Sequence, residues 1–297
     1  MKLTGLHLLL TYQCTHECDH CFVWGSPFQS GVMTLDRVRT ILGQAGEHRS
    51  VEWIYFEGGE AFLYYPVLRK GVELAKESGF RVGVVSNGYW ATGPEDAAAW
   101  LKPLAGRLDD LSVSKDSLHG NENRADLARA AAQKLGIPTA TVTTVQPGAE
   151  AWSGPGRIPA EAAAVRFRGR AARELTLWAP RTSGRGFTCC PYEDLRNPGR
   201  VHVDPFGNVH VCQGIVIGNL LEHHLNAICA SYLPDRHPVT GPLLSGGPAE
   251  LARRYDLAYS GAFADACHLC YDTRTKLRGR FPKELGPDQM YGVVSAS

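Results

Sequence analysis

HLLLTYQCTHECDHC, residues 7–21, runs from a short apolar segment, His7–Thr11, straight into Cys14, Cys18 and Cys21. An apolar run of strand length that ends on metal-ligating residue types places chemistry at the C-terminal edge of a strand. Working outward, the same rhythm repeats. Trp53–Phe56, Arg81–Ser86, Asp110–Ser114, Thr139–Val145 and Ala163–Phe167 read as further strands. Leu35–Ala45, Val67–Ser78, Ala97–Leu104 and Asn123–Leu135 carry helical spacing between them. Six strands alternating with helices predict a parallel sheet curled into a partial (β/α)6 TIM-like barrel.

The repeat stops near Pro180. Arg181–Gly186 reads as a linker, and VHVDPFGNVHVC, residues 201–212, carries a hairpin signal with Pro205 and Gly207 at its turn. The expected organisation is a barrel over residues 1–183 and a small α+β unit, a β-hairpin plus helix, over 184–297. PVTGPLLSGGP, residues 238–248, reads as loop, and this region holds too little periodic apolar pattern for a large core of its own. The tail DQMYGV, Asp288–Val293, is placed to fold back over the barrel mouth.

Lysine and arginine total 31 against 30 aspartates and glutamates, so no electrostatic footprint for nucleic acid or an anionic membrane exists. The first residues lack a signal-peptide cleavage pattern, and no segment reaches the ~20 apolar residues of a membrane span. A cytoplasmic protein is expected. In a reducing cytoplasm nine cysteines are metal ligands more readily than disulfide partners. Seven fall into two sets: Cys14, Cys18 and Cys21, then Cys190, Cys212, Cys267 and Cys270. Cys189 is an alternative to Cys190, which is preferred because the chain turns at Pro191. Cys229, in LNAIC, reads as a buried small hydrophobe.

Three thiolates leave one iron of a 4Fe-4S cube open to a cofactor. The alternative for this set is zinc, completed by His16 or His20. Gly58-Gly59-Glu60 then follows the next strand, where the backbone can approach a ligand closely and Glu60 can accept from an ammonium. With these motifs together the sequence resembles the radical S-adenosylmethionine (radical SAM) superfamily, with His20 as the aromatic residue before the last cysteine. The resemblance implies a 4Fe-4S cluster on the first cysteine set and S-adenosylmethionine chelated at its open iron, with the glycine-rich segment at the amino group. It also places Ser86-Asn87-Gly88, Ser112, Ser114 and Asp116 near the methionyl and ribose groups, although each is also an ordinary polar residue of a strand end. The implied chemistry is reductive cleavage of S-adenosylmethionine to a 5′-deoxyadenosyl radical that removes a substrate hydrogen.

The second set resembles the twitch domain, the short form of the SPASM domain, with Gly218-Asn219-Leu220 matching its usual run after the hairpin. That implies one closed auxiliary 4Fe-4S cluster that relays an electron, an oxygen-sensitive enzyme, and net oxidation or crosslinking of a small molecule or peptide. A zinc ribbon is the alternative for these four cysteines. Cys14 lies only thirteen residues in, which tilts the expectation toward a small-molecule or free-standing protein substrate. A ribosomal-peptide maturase or epimerase of the same family stands beside it, and an iron-sulfur electron carrier or zinc-binding interaction protein stands as the reading from another class. An electron donor such as flavodoxin or ferredoxin is the expected partner. No catalytic side chain is assigned. Tyr89, Arg166 and Arg168, with Trp24 and Trp90, are candidates to line a substrate pocket, and the alternation in VRFRG makes a shared anion site of the two arginines a hypothesis.

Overall fold

A computed structural model describes residues 1–120, 122–145, 162–177, 179–259 and 261–294. In the first half β1 (Gly5–Leu9), α1 (Leu35–Glu47), β2 (Trp53–Glu57), α2 (Tyr65–Glu77) and β3 (Arg81–Ser86) alternate. They are followed by α3 (Pro94–Leu101), β4 (Asp110–Ser114), α4 (Glu122–Lys134), β5 (Thr139–Val145) and β6 (Ala162–Ala164). Each expected element is present, with ends shifted by a few residues. The largest difference is β6, which stops at Ala164 rather than Phe167, so Arg166 and Arg168 lie beyond the strand.

β1 to β6 pair in sequence order, each parallel to the next. This mixed α/β arrangement with a parallel sheet is consistent with a partial TIM-like barrel. Side chains alternate across it as the pleat requires. Leu6, Leu8, Ile54, Phe56, Val82 and Val84 are fully buried. The Phe56 ring packs so tightly on α2 that a Cβ at Gly71 would come within 2.9 Å of it. On the opposite face His7 stacks on Tyr55, and the Tyr55 hydroxyl meets Asp110, which also accepts from Ser112. The concave face of the sheet is therefore polar, and the convex face carries the core.

The second half adds α5 (Ala171–Glu174), β7 (Thr182–Ser183), β8 (Arg200–Val203), β9 (Asn208–Cys212) and β10 (Ile215–Asn219). It ends with α6 (Leu225–Ser231), α7 (Thr240–Arg254), β11 (Ala262–Phe263) and α8 (Ala266–Leu277). The expected hairpin is β8–β9, and it extends the main sheet: β8 pairs in parallel with β1, placing His202 opposite His7, and β9 and β10 continue antiparallel. Val201, Val203, Val209 and Leu251 join the same apolar cluster as Leu6 and Phe56. The support that the C-terminal region lacks alone thus comes from the core of the first half.

Residues 240–245 correct the loop expectation, because they are helical. α7 consists of two helices joined at Gly246 and Gly247, the latter at φ 67°. A Cβ at Gly247 would sit 2.3 Å from the Cys189 backbone nitrogen, and the Ala249 amide donates to the Phe187 carbonyl. The kink thereby seats the chain that leads into Cys190. The tail ends in a single helical turn, Asp288–Tyr291, with Gly292 against the Trp24 ring and the Tyr291 hydroxyl donating to the Gly214 carbonyl. It folds back onto the loop that follows Cys21.

Candidate functional site

The loop after β1 is held by backbone pairing to the end of β2. The Gly59 amide donates to the Thr11 carbonyl at 2.7 Å, and the Glu60 amide to the Gln13 carbonyl at 2.8 Å. Both glycines are sterically required there. A Cβ on Gly58, which sits at φ 150°, would lie 2.4 Å from the Thr11 oxygen, and one on Gly59 would lie 2.1 Å from the Gln13 oxygen. Close approach of two backbones therefore fixes the cysteine loop beside the glycine pair.

Within that loop the Cys21 amide donates to the Cys18 carbonyl. Cys14 Sγ accepts from the His16 amide and from Asn87 Nδ2, and Cys21 Sγ from the Gly25 amide. Such donors to sulfur stabilise thiolates that bind iron. Arg170 clamps the loop from outside. Its guanidinium, 6% exposed, donates to the carbonyls of Cys18 and Gly25, both at 2.8 Å. Gly169 (φ 62°) lets the chain pass Cys21 so closely that a Cβ would meet its carbonyl oxygen at 2.5 Å. Burial pushes the Cys14 thiol up to about 12, with Glu60 and Cys21 adding to it against the His16 and Asn87 donors. Without a cation the Cys14 thiol keeps its proton, which fits a metal ligand better than a nucleophile.

Glu60, expected to accept from an ammonium, has its carboxylate engaged by the chain. One oxygen accepts from the Phe62 amide and the Ser86 hydroxyl, the other from the Asn87 amide. Burial nevertheless lifts its carboxyl to about 7. Glu60 ties the loop after β2 to the loop after β3. Asn87 extends that tie to Thr15 and Cys14.

Asp116 plays a similar part after β4. It accepts from the amides of Leu118, His119 and Thr144 and from the His119 ring. Burial raises its carboxyl, but the His119 hydrogen bond and charge outweigh this and leave it below its ordinary value. His20 packs edge-on to His119 at 4.6 Å, and burial, with His119 beside it, lowers its imidazole to about 4. Ser112 donates to Asp110 one pleat deeper, and Ser114 is buried at the end of β4. The structure thus brings His20, Gly58, Gly59, Glu60, Asn87, Ser114 and Asp116 to one edge of the sheet and leaves Ser112 below it.

The second set also converges. Cys190, Cys212, Cys267 and Cys270 line one pocket together with Arg168, Glu193 and Arg274. Cys189 is exposed and outside it, and Cys229 is buried in α6. Arg168 donates to Cys212 Sγ at 3.3 Å and to Glu193 at 3.2 Å. Arg274, 1% exposed, reaches the Gln213 carbonyl and the Tyr291 hydroxyl, and its charge faces Cys270 and Cys212. Glu193 answers Arg168, but Arg274 has no carboxylate ion pair among the described residues, and a closed four-thiolate cluster would carry net negative charge that answers it. The donor set fits such a cluster.

The remaining candidates are mostly packing. Arg166 and Arg168 both pair with Glu193, at 3.5 and 3.2 Å, so they form no open anion site, and this corrects the hypothesis drawn from VRFRG. Trp24 donates to the Tyr271 hydroxyl, Trp90 to Ser86, and Tyr89 to the Phe62 carbonyl. Sequence reasoning missed Arg170 and Arg274. The second was within reach, since positions 267, 270 and 274 share one face of a helix.

Residues 8–150 match the model of the Radical SAM superfamily. YydG of Bacillus subtilis (strain 168), whose name places it in peptide biosynthesis, is 26% identical over 111 residues, 37% of this chain and 35% of its own. An S-adenosylmethionine-dependent nucleotide dehydratase from Thermoplasmatales archaeon (strain ISO4-H5) is 30% identical over 125 residues, 39% of each chain. The chain therefore spans little more than a third of the length of these curated relatives. Among solved structures, native anSMEcpe with bound AdoMet and the Cp18Cys peptide aligns over 94% of this chain and 97% of its own, with TM-score 0.52 and 12% identity. Streptococcus suis SuiB bound to S-adenosylmethionine aligns over 76% and 65%, with TM-score 0.52 and 12% identity. At such identity the likeness is one of fold.

Proposed function

We propose that this chain is a radical SAM enzyme with two 4Fe-4S clusters. Cys14, Cys18 and Cys21 would hold the first, leaving one iron for the amino and carboxylate groups of S-adenosylmethionine. Cys190, Cys212, Cys267 and Cys270 would enclose the second, in an auxiliary unit spanning residues 184–297 behind a core of residues 1–183. The observation that carries the reading is the backbone lock of Gly59 and Glu60 on Thr11 and Gln13. It seats a three-thiol loop beside two glycines at the rim of a polar concave face, inside the segment that matches the family model.

Once bound, cluster and cofactor would supply the one-electron chemistry that yields a 5′-deoxyadenosyl radical able to remove a substrate hydrogen. The chain positions and shields. Arg170 fixes the cysteine loop, Glu60 and Asn87 hold the loops after β2 and β3 together, and the fully buried convex core keeps the sheet rigid. Tyr55, Asp110 and Ser112 offer hydrogen-bonding groups on the concave face to a polar substrate. Arg168 and Arg274 bias the second set toward holding negative charge, which suits electron relay and a net oxidation or crosslink. A flavodoxin or ferredoxin of a reducing cytoplasm would supply electrons. Peptide modification, including epimerisation, is a second reading, favoured by one relative's name and by a structural neighbour bound to a peptide.

The test is iron analysis and turnover on anaerobically reconstituted protein. Roughly eight irons per chain, and 5′-deoxyadenosine formed from S-adenosylmethionine under strong reductant, are expected. Zinc in place of iron, or full iron without cofactor cleavage, would overturn the reading.

A further inference from the structure

Outside both cysteine sets, three side chains from adjacent strands converge on the concave face. His7 of β1 lies opposite His202 of β8, and Glu57 closes β2 beside them. One carboxylate oxygen, Glu57 Oε1, sits 3.0 Å from His202 Nε2 and 3.4 Å from His7 Nδ1. The ligand atoms of all three residues lie within 4.8 Å of one another. Their side chains are 12–19% exposed.

Two other histidine–carboxylate groups show what a carboxylate filled by the chain itself looks like. Asp204, beside His210, also accepts from the Phe206 and Asn208 amides, the Tyr12 hydroxyl and the Asn208 side chain. Asp116, between His20 and His119, is filled by three backbone amides and the His119 ring. Glu57 differs. Its Oε1 meets the two imidazole nitrogens, and no backbone amide or hydroxyl among the described residues fills it as the amides fill Asp204 and Asp116. Its capacity is left to whatever the two imidazoles share with it.

The spacing says what that would be. Zinc-like divalent cations bind imidazole nitrogen and carboxylate oxygen at about 2.0–2.2 Å, so neighbouring ligands in one shell lie about 3.0–3.5 Å apart. That range contains both observed separations. We propose that His7, Glu57 and His202 form a mononuclear site for a divalent first-row cation, of the two-histidine, one-carboxylate type that leaves open coordination positions. His7 also lines a cavity of ≈ 450 Å³, together with Trp53, Tyr55, Tyr192 and Glu193. Of the three residues only His7 lines that cavity, which lies toward the start of β1, β2 and β8; the ligand the open positions would take is a substrate oxygen, a carboxylate, carbonyl or hydroxyl. Glu57 directly precedes Gly58-Gly59, so such a substrate would be anchored one strand step from the glycine pair. This purpose rests on the radical SAM reading; the cation site itself does not.

The test uses Mn2+, which prefers carboxylate and other oxygen ligands to thiolate and so avoids the cysteine sets, on the anaerobically reconstituted full chain. One bound Mn2+ per chain, with electron–nuclear couplings to two imidazole nitrogens, is expected. Glu57→Gln and His202→Ala should each weaken binding by more than about tenfold. No Mn2+ binding by the wild type, or bound Mn2+ without imidazole couplings, overturns the site, and neither result depends on whether a variant folds. Equal binding by iron-replete variants overturns it too. Failure of cofactor cleavage alongside normal Mn2+ binding would instead remove the radical SAM reading and leave the site standing.

Discussion

The two cysteine sets are built on opposite electrostatic plans. Around Cys14, Cys18 and Cys21 the sulfurs accept from backbone amides and one asparagine, and the nearest guanidinium, Arg170, is spent on carbonyls of the loop. Around Cys190, Cys212, Cys267 and Cys270 two buried guanidiniums face the sulfurs directly. A three-thiol site at a sheet edge with neutral donors leaves room for a ligand that brings its own charge. A four-thiol site enclosed by cations stabilises an anionic cluster and has no position left to offer. Under the proposed function, this difference would separate a centre that binds from one that passes electrons.

The largest expected effect that sharpens this contrast falls on the first set. Gly59→Ala would drive a Cβ into the Gln13 carbonyl, a backbone atom that cannot step aside. A loss of about 3 kcal/mol in stability, with iron lost from the first set and retained by the second, is expected from urea unfolding and iron analysis. Equal loss from both sets would contradict the separation.

A smaller effect follows from Glu60. Its folded carboxyl, lifted by burial to about 7 from an ordinary 4.5, holds a proton that the unfolded chain has released. Between those two values stability therefore falls as pH rises, and above about 7 the difference is constant. In Glu60→Gln that slope disappears, while the loss of an acceptor facing the Phe62 or Asn87 amide lowers stability overall by about 1–3 kcal/mol. Denaturant midpoints at pH 5.5 and 7.5, compared between wild type and variant, check the sign.

The smallest effect probes the second set. Arg168→Gln removes a charged donor from Cys212 Sγ, and the auxiliary midpoint potential should fall by on the order of tens of millivolts. Redox titration followed by electron paramagnetic resonance would show the auxiliary signal shifted and the first unmoved. A shift in both would mean that the two sites share one environment.

Much of this was legible in local pattern. Short apolar runs alternating with helical stretches marked β1 to β5, and Cys190 rather than Cys189 lines the pocket, in keeping with the preference drawn from the turn at Pro191. α7 was hidden because Pro242, Gly246, Gly247 and Pro248 are breakers by type, and only packing against Phe187–Cys189 lets two short helices meet there. Glu193 was hidden for another reason: nothing near it in the chain shows that it neutralises Arg166 and Arg168. The cluster of His7, Glu57 and His202 depends on β8 joining β1, a register across nearly two hundred residues that no local signal encodes.

The most direct measurement is the response of each iron signal to S-adenosylmethionine. In reduced Cys190→Ala protein, which keeps only the N-terminal thiols intact, adding the cofactor should change the electron paramagnetic resonance spectrum. In reduced Cys18→Ala protein, which keeps only the C-terminal ones, the spectrum should stay as it was. The opposite pattern, or no response in either, would contradict the account.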